Sequence, residues 1–229
     1  MQNLQLIIFD LDGVVIDSEY LIASQQNMIL NKAGHKMNID EFIKKYVNIT
    51  WKEILKDIEQ QSPLPISAKL IDIWENIEQT LIKDIALMDG FLKAANDICL
   101  PKALTTNRSN KWIKQICNKF KLEHIFNQNI FSAPEVETQN IKITPDRFLS
   151  IAEKTKAKPQ NTIIIEDSVI GVKAAVAAGM RVIGFTGGKH SYLGHSSLLM
   201  EAGAETSISH FKDLPAVVKA MDYWTNNLA

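Results

Sequence analysis

Cysteine is scarce: the 229-residue chain carries only Cys99 and Cys117, and their spacing suits neither a metal site nor a redox pair. Both fall in helix-like apolar patterns, so both are expected as buried free thiols. Basic runs are missing too. With 25 Lys and Arg against 26 Asp and Glu the net charge is −1, and no aromatic residues interleave with basic ones. Neither nucleic acid nor an anionic membrane surface is therefore an expected partner. No apolar run approaches the length of a bilayer span. The N-terminus lacks the basic and apolar segments of a secretion signal. Internal repeats and low-complexity tracts are absent. What remains is an ordinary globular composition, 46% hydrophobic and 22% charged, long enough to bury a sizeable core in one or two domains. A cytoplasmic monomer is the expectation.

The chain has two textures. From about Asp17 to Leu87 every segment reads as helix: SEYLIASQQNMILNKAG with Gly34 as its stop, then IDEFIKKYV, WKEILKDIEQQ and, after a turn at SPLP, AKLIDIWENIEQTLIKDI. From Met88 onward short apolar strands alternate with helices. The strands are KALTT, NIFSA, TIIIED, RVIGFT and TSIS; the helices are NKWIKQICNKF, DRFLSIAEKTK, GVKAAVAAG, SSLLMEAGA and LPAVVKAMDYW. Continuous apolar strands between helices argue a parallel sheet covered on both faces. The opening LQLIIF shares that texture. The first strand therefore belongs with the later part of the chain, and the helical block is inserted after it. The expected division is an α/β core of residues 1–15 and 89–229 and a helical domain of residues 16–88.

The stretch LIIFDLDGVVIDSE places two carboxylates, Asp10 and Asp12, where a buried strand ends. In an open parallel sheet, ligands bind at the carboxyl ends of the strands. Residues two apart on an extended chain face the same way, so both acids can face one site, and Gly13 lets the chain turn away. TIIIEDSVIG repeats the arrangement with Glu166 and Asp167. Two strands delivering carboxylates to one rim repel, at about 4 kcal/mol for unit charges ~4 Å apart at an effective dielectric near 20. A hard divalent cation such as Mg²⁺ is the natural compensation. Two further strand ends add complementary groups. KALTTNRS supplies Thr105, Thr106 and Asn107. NIKITPDRF supplies Lys142 just before Thr144 and Pro145, a good cap and first helical residue. A hydroxyl and an ammonium beside a metal–carboxylate rim are what a transferring phosphoryl group needs.

DLDGVVIDSE, TTN, KITPD and IIIEDSVIGVKAAVAAGM, in that order, resemble the four motifs of the haloacid dehalogenase-like superfamily. The resemblance spans nearly the whole chain and is greatest to the helical-cap subfamily that includes phosphoglycolate phosphatase and β-phosphoglucomutase. It implies an α/β fold with a Rossmann-like parallel-sheet core and an inserted all-helical cap domain. It implies that Asp10 is the nucleophile that forms an aspartyl-phosphate. Asp12 would protonate the leaving oxygen and then deprotonate the hydrolytic water. Thr106 and Lys142, with Asn107 beside them, would bind phosphoryl oxygens. Asp10, the Asp12 carbonyl and Asp167 would hold Mg²⁺, with Glu166 next to it. The dehalogenases lack the acid at the position of Asp12, which favours phosphoryl chemistry here.

The chain departs from the family pattern at three points. Ile143 replaces the first proline of the third motif, which loosens the assignment of Lys142. Arg108 follows the second motif, where it can either reach substrate or lie solvated at the rim, and the solvated rim is the expected position. In the cap, KYVNITWKE stands where relatives carry a glycine-containing specificity loop, with Asn48 at the glycine and Thr50, Trp51 and Lys52 as candidate substrate contacts. The arginine with which β-phosphoglucomutase clamps a second phosphate has no counterpart there. The expected function is therefore an Mg²⁺-dependent phosphatase acting on a small-molecule phosphate monoester, a sugar phosphate or sugar-acid phosphate. A phosphomutase is the alternative, and a receiver-like or ligand-binding protein is the non-enzymatic one. GFTGGKHSYLGH has the wrong glycine spacing for a phosphate loop and reads as a flexible loop after a strand, in a place from which it could border the site. Its two histidines show no ligand spacing.

Overall fold

The structure is a computed structural model and describes residues 4–61, 69–132 and 144–227. SPLP and Lys142 with Ile143 lie outside the described residues. The elements run β1 (Leu6–Asp10), α1 (Glu19–Lys32), α2 (Ile39–Tyr46), α3 (Trp51–Gln61), α4 (Lys69–Leu81), α5 (Phe91–Asp97), β2 (Lys102–Thr106) and α6 (Asn110–Phe120). They continue with α7 (Glu123–Phe126), β3 (Ile130–Ser132), α8 (Pro145–Thr155), β4 (Thr162–Glu166), α9 (Val169–Ala177), β5 (Arg181–Phe185), α10 (His195–Glu201), β6 (Thr206–Ile208) and α11 (Leu214–Asn227). The chain divides into two compact units, Met1–Ile16 with Leu87–Ala229, and Asp17–Ala86.

In the first unit the described strands form one six-stranded sheet in the order β3-β2-β1-β4-β5-β6, with every neighbouring pair parallel. The chain starts in the middle and builds outward through β2 and β3. It then crosses back to lay β4 on the other side of β1. The strand order thus reverses between β1 and β4, the place where such sheets open a crevice at their carboxyl edge.

The apolar run of β1 is explained by burial on both faces. Leu6 and Ile8 pack with Phe148 and Ile151 of α8 and Val172 and Ala175 of α9. Phe9, on the opposite face, meets the rings of Phe91 at 5.6 Å and Phe126 at 5.9 Å. Phe211 joins the same group, 4.6 Å from Phe185 and 5.4 Å from Phe91. A strand covered this way has no polar face, so alternation is missing from its sequence. Pro145 opens α8, as its residue type favours, and Thr144 stands at the cap position in an extended conformation, but its side chain makes no capping hydrogen bond among the described residues.

The second unit contains α1 to α4, and Asp17 N donates to Ala86 O at 3.0 Å where the block begins and ends. Gly34, with φ of 98°, follows the end of α1 in the left-handed region. Asn38 caps α2 by accepting from Asp40 N at 2.8 Å. Thr50 and Glu53 open α3 reciprocally: Thr50 Oγ1 donates to Glu53 Oε2 at 2.7 Å and accepts from Glu53 N at 3.4 Å. Asn48 has φ of 66°, the backbone state that favours glycine and that Asn tolerates.

One expectation is overturned. Cys117 is buried in α6, but Cys99 is exposed. Helix α5 stops at Asp97, so Cys99 lies in the connector to β2 and not on a helix face. Among the described residues no helix is long and apolar enough to cross a membrane.

Candidate active site

Because the strands are parallel, their carboxyl ends share one edge. Asp10 ends β1, Thr106 ends β2 and Glu166 ends β4, and these are three adjacent strands at the reversal of order. Asp12 follows β1 in a tight turn, where Gly13 N donates to Ile16 O at 2.9 Å and Ile16 N to Leu11 O at 3.0 Å. The turn requires glycine twice over. Gly13 has φ of +78°, and a Cβ there would stand 2.2 Å from Asp167 Oδ2.

Asp12 is buried and fixed by the second strand end. Thr106 Oγ1 donates to Asp12 Oδ2 at 3.1 Å and accepts from Arg108 N at 3.1 Å. Arg108 Nε is 3.6 Å from the same Asp12 oxygen, and its guanidinium lies over the Trp112 ring at 5.2 Å. The expected solvated rim position for Arg108 is therefore corrected. The side chain turns inward because a carboxylate and an aromatic face both attract a guanidinium.

The acidic cluster is built by Asp10, Glu166 and Asp167, each of which offers a carboxylate oxygen within 4.8 Å of the others. Glu166 and Asp167 are buried, and Asp10 is partly so. Burial, followed by Glu166 and Asp167, raises the Asp10 carboxyl well above the ordinary range. Burial, followed by Asp167, pushes Glu166 up to about 8. Glu166 is nevertheless held in place: Oε1 accepts from Ser168 Oγ at 2.6 Å, and Oε2 from Asp167 N at 3.2 Å. Ser168 also caps α9 by accepting from Gly171 N at 3.0 Å. Only glycine fits at 171, since a Cβ would stand 1.4 Å from Glu166 Oε1. Three convergent hard oxygen donors, two of which (Asp10 and Glu166) are held back from ionising by burial and by neighbouring carboxylates, fit a divalent cation of the Mg²⁺ kind.

Three residues of this site escape a reading of the sequence. Arg147, in the first turn of α8, donates through Nε to Thr105 Oγ1 at 2.8 Å and through Nη1 to Asn107 Oδ1. Its charge draws the carboxyl values of Asp10 and Glu166 downward. The signal was an arginine on the buried stripe Arg147, Phe148, Ile151, Ala152. His190, from the loop after β5, and His195, the first residue of α10, converge on Asp167. His190 Nε2 is 2.8 Å from Asp167 Oδ2, and His195 Nε2 is 2.8 Å from Asp167 O. A carbonyl only accepts, so His195 carries its proton on Nε2, and Nδ1 faces Ser191 Oγ at 3.2 Å. Burial lowers the His195 pKa, which favours that neutral form. Gly188 leaves room for the His190 ring, because a Cβ there would stand 2.5 Å from Cε1. Here the signal was two histidines in a glycine-rich loop leaving a strand at its carboxyl end.

Of the sequence-derived candidates, the structure thus brings Asp10, Asp12, Thr106, Asn107, Arg108, Glu166 and Asp167 to one edge of the sheet. Thr50, Trp51 and Lys52 belong to the helical unit. Thr50 is engaged in capping α3, and Trp51 is buried, with Nε1 donating to Leu70 O at 3.1 Å and its ring 5.7 Å from that of Trp74. Lys52 is exposed.

Residues 7–185 match the family of haloacid dehalogenase-like hydrolases. A conserved haloacid dehalogenase-like protein of unknown function from Agrobacterium tumefaciens shares 38% identity and a TM-score of 0.90, over 95% of this chain and 99% of that one. The 6-phosphogluconate phosphatase of Escherichia coli is 22% identical over 223 residues, which cover 96% of this chain and 97% of that protein. A phosphorylated carbohydrates phosphatase of Thermotoga maritima is 25% identical over 216 residues, 88% of this chain and 92% of that protein. With its parallel sheet and acidic carboxyl edge, the chain belongs to the haloacid dehalogenase-like hydrolase family.

Proposed function

We propose that the protein is a phosphatase that hydrolyses a small phosphorylated metabolite, a sugar phosphate or sugar-acid phosphate, through an aspartyl-phosphate on Asp10. The observation that carries this reading is the pairing of two acids with different surroundings at one strand end. Asp10 sits among carboxylates, whereas Asp12 is bonded to Thr106 and faces Arg108. An Asp10 oxygen attacks phosphorus as the ester P–O bond breaks. Asp12 gives its proton to the departing oxygen, so the alcohol leaves neutral. It then takes a proton from the water that attacks the aspartyl-phosphate, and Asp10 and inorganic phosphate are released. Thr106, the Asn107 region and Lys142 supply donors to the phosphoryl oxygens. Asp10, Asp167 and the Asp12 carbonyl, with Glu166 beside them, would hold Mg²⁺, and the cation would supply the positive charge that lets an anionic nucleophile meet an anionic substrate. His190 and His195 keep Asp167 turned to that role. The substrate class is supported by relatives named for 6-phosphogluconate and phosphorylated carbohydrates.

The test is hydrolysis of an aryl phosphate with Mg²⁺, with EDTA and by Asp10→Asn. Turnover should require both Mg²⁺ and Asp10, and the variant should keep its fold because the change is isosteric. Near-normal turnover by Asp10→Asn would remove Asp10 as nucleophile.

A further inference from the structure

Arg147 is 6% exposed, and among the described residues it is the one Lys or Arg that is buried. A guanidinium taken out of water is kept only where its charge and its donors are used. Burial lowers its pKa, and the anions it faces, Asp10 and Glu166, act against that and favour its charged form. Two of its nitrogens serve to fix it. Nε is bound to Thr105 and Nη1 to Asn107, the residues on either side of Thr106. The third nitrogen, Nη2, is buried and has no acceptor among the described residues. Buried donors without acceptors are rare, and each calls for an explanation.

We propose that Arg147 is a phosphoryl-binding residue: held at Nε and Nη1 by Thr105 and Asn107, it donates from Nη2 to an oxygen of the substrate's phosphoryl group. This deepens the phosphatase reading and rests on it. Formal charge agrees. Three carboxylates against a divalent cation leave one negative charge, and Arg147 cancels it, so the approaching phosphoryl group meets no net repulsion from this set. The planar fork suits the task better than an ammonium does. Two of its edges are used for anchoring, and the remaining one is left at a set angle for a phosphoryl oxygen. Arg147 stands five residues beyond Lys142, so the site has a fixed cation that does not depend on where the third-motif lysine lies.

The experiment measures inorganic phosphate as the probe, by calorimetry in Mg²⁺ and as an inhibitor of aryl phosphate hydrolysis, for the wild-type chain, Arg147→Met and Arg147→Lys. Thermal melts accompany each variant. Arg147→Met should weaken phosphate binding at least tenfold and lower kcat/KM at least a hundredfold, with Arg147→Lys between it and the wild type. A folded Arg147→Met that binds phosphate as the wild type does would overturn the proposal, because an arginine that only balances core charge would change the melt and not the phosphate constant. If Arg147→Met does not fold, Arg147→Lys decides. One ammonium cannot serve Thr105, Asn107 and phosphate together, so its phosphate constant should weaken severalfold, and an unchanged constant refutes the assignment. A wild-type protein that neither hydrolyses the ester nor binds phosphate would instead overturn the phosphatase reading itself.

Discussion

Raising the pH should destabilise the metal-free protein, and Glu166 supplies the main reason. Its carboxyl is pushed up to about 8 from the ordinary 4.5, by burial first and by Asp167 second. The unfolded chain gives up this proton near 4.5, whereas the native state keeps it to about 8. Between those values the native state binds more protons, so the free energy of unfolding falls as pH rises. The interval, 8 − 4.5 = 3.5 units, corresponds to about 5 kcal/mol at ~1.4 kcal/mol per unit. In a chain of this length each kcal/mol moves Tm by about 2–4 °C, so the melt in EDTA should drop by about 10–20 °C between pH 5 and pH 8.5. Asp10, raised by the same causes, acts in the same direction. His195, depressed by burial, acts in the opposite one. The comparison of wild type with Glu166→Gln isolates the Glu166 contribution, since the amide keeps the shape and loses the proton. Melts at half-unit steps in EDTA should show a steep fall for the wild type and a much flatter line for the variant. Mg²⁺ should flatten the wild-type line, because a bound cation favours the ionised carboxylates. A wild-type stability that is level or rising from pH 5 to 8 in EDTA, or an identical slope in Glu166→Gln, would refute the reasoning.

Other expectations follow from single contacts. Asp12→Asn should cut turnover of an alkyl phosphate by roughly 10²–10⁴-fold and that of an activated aryl phosphate far less, since a good leaving group hardly needs the proton; equal losses on both would remove Asp12 as the acid. Gly13→Ala combines φ of +78° with a Cβ 2.2 Å from Asp167 Oδ2, so it should cost roughly 2–5 kcal/mol and weaken Mg²⁺ binding; an unchanged melt would show that the turn relaxes freely. Thiol labelling of the native protein should modify Cys99 alone, because Cys117 is buried with its thiol pushed up to about 11. Two thiols reacting at one rate would contradict that burial.

Much of this molecule is legible along the chain, because the relevant signals are local. Unbroken apolar runs such as LIIF and TIII announce strands covered on both faces, and the acids that follow them announce the working edge of the sheet. Capping and turn chemistry likewise needs only near neighbours, as at Asn38, Thr50 and Pro145. Short elements are harder to read. Helices α5 and α7 have seven and four residues, too few to show a helical period. Cys99 follows a helix-like apolar pattern and is nonetheless exposed, since α5 stops two residues before it.

What the chain alone determined is which side chains lie at strand ends; what tertiary structure decided is which of those ends meet. The crossover that sets β4 beside β1 brings Glu166 and Asp167 to Asp10, across more than 150 residues of sequence. The same packing carries Arg147 from a helix start to Thr105 and Asn107, draws Arg108 from solvent to Asp12, and folds His190 and His195 onto Asp167. None of these pairings has a period or a spacing, because a side chain buried among distant partners is placed by the layers it lies between. Local propensity says that Arg147 is helical, and only the sheet beneath α8 says that its charge is buried beside Asp10 and Glu166.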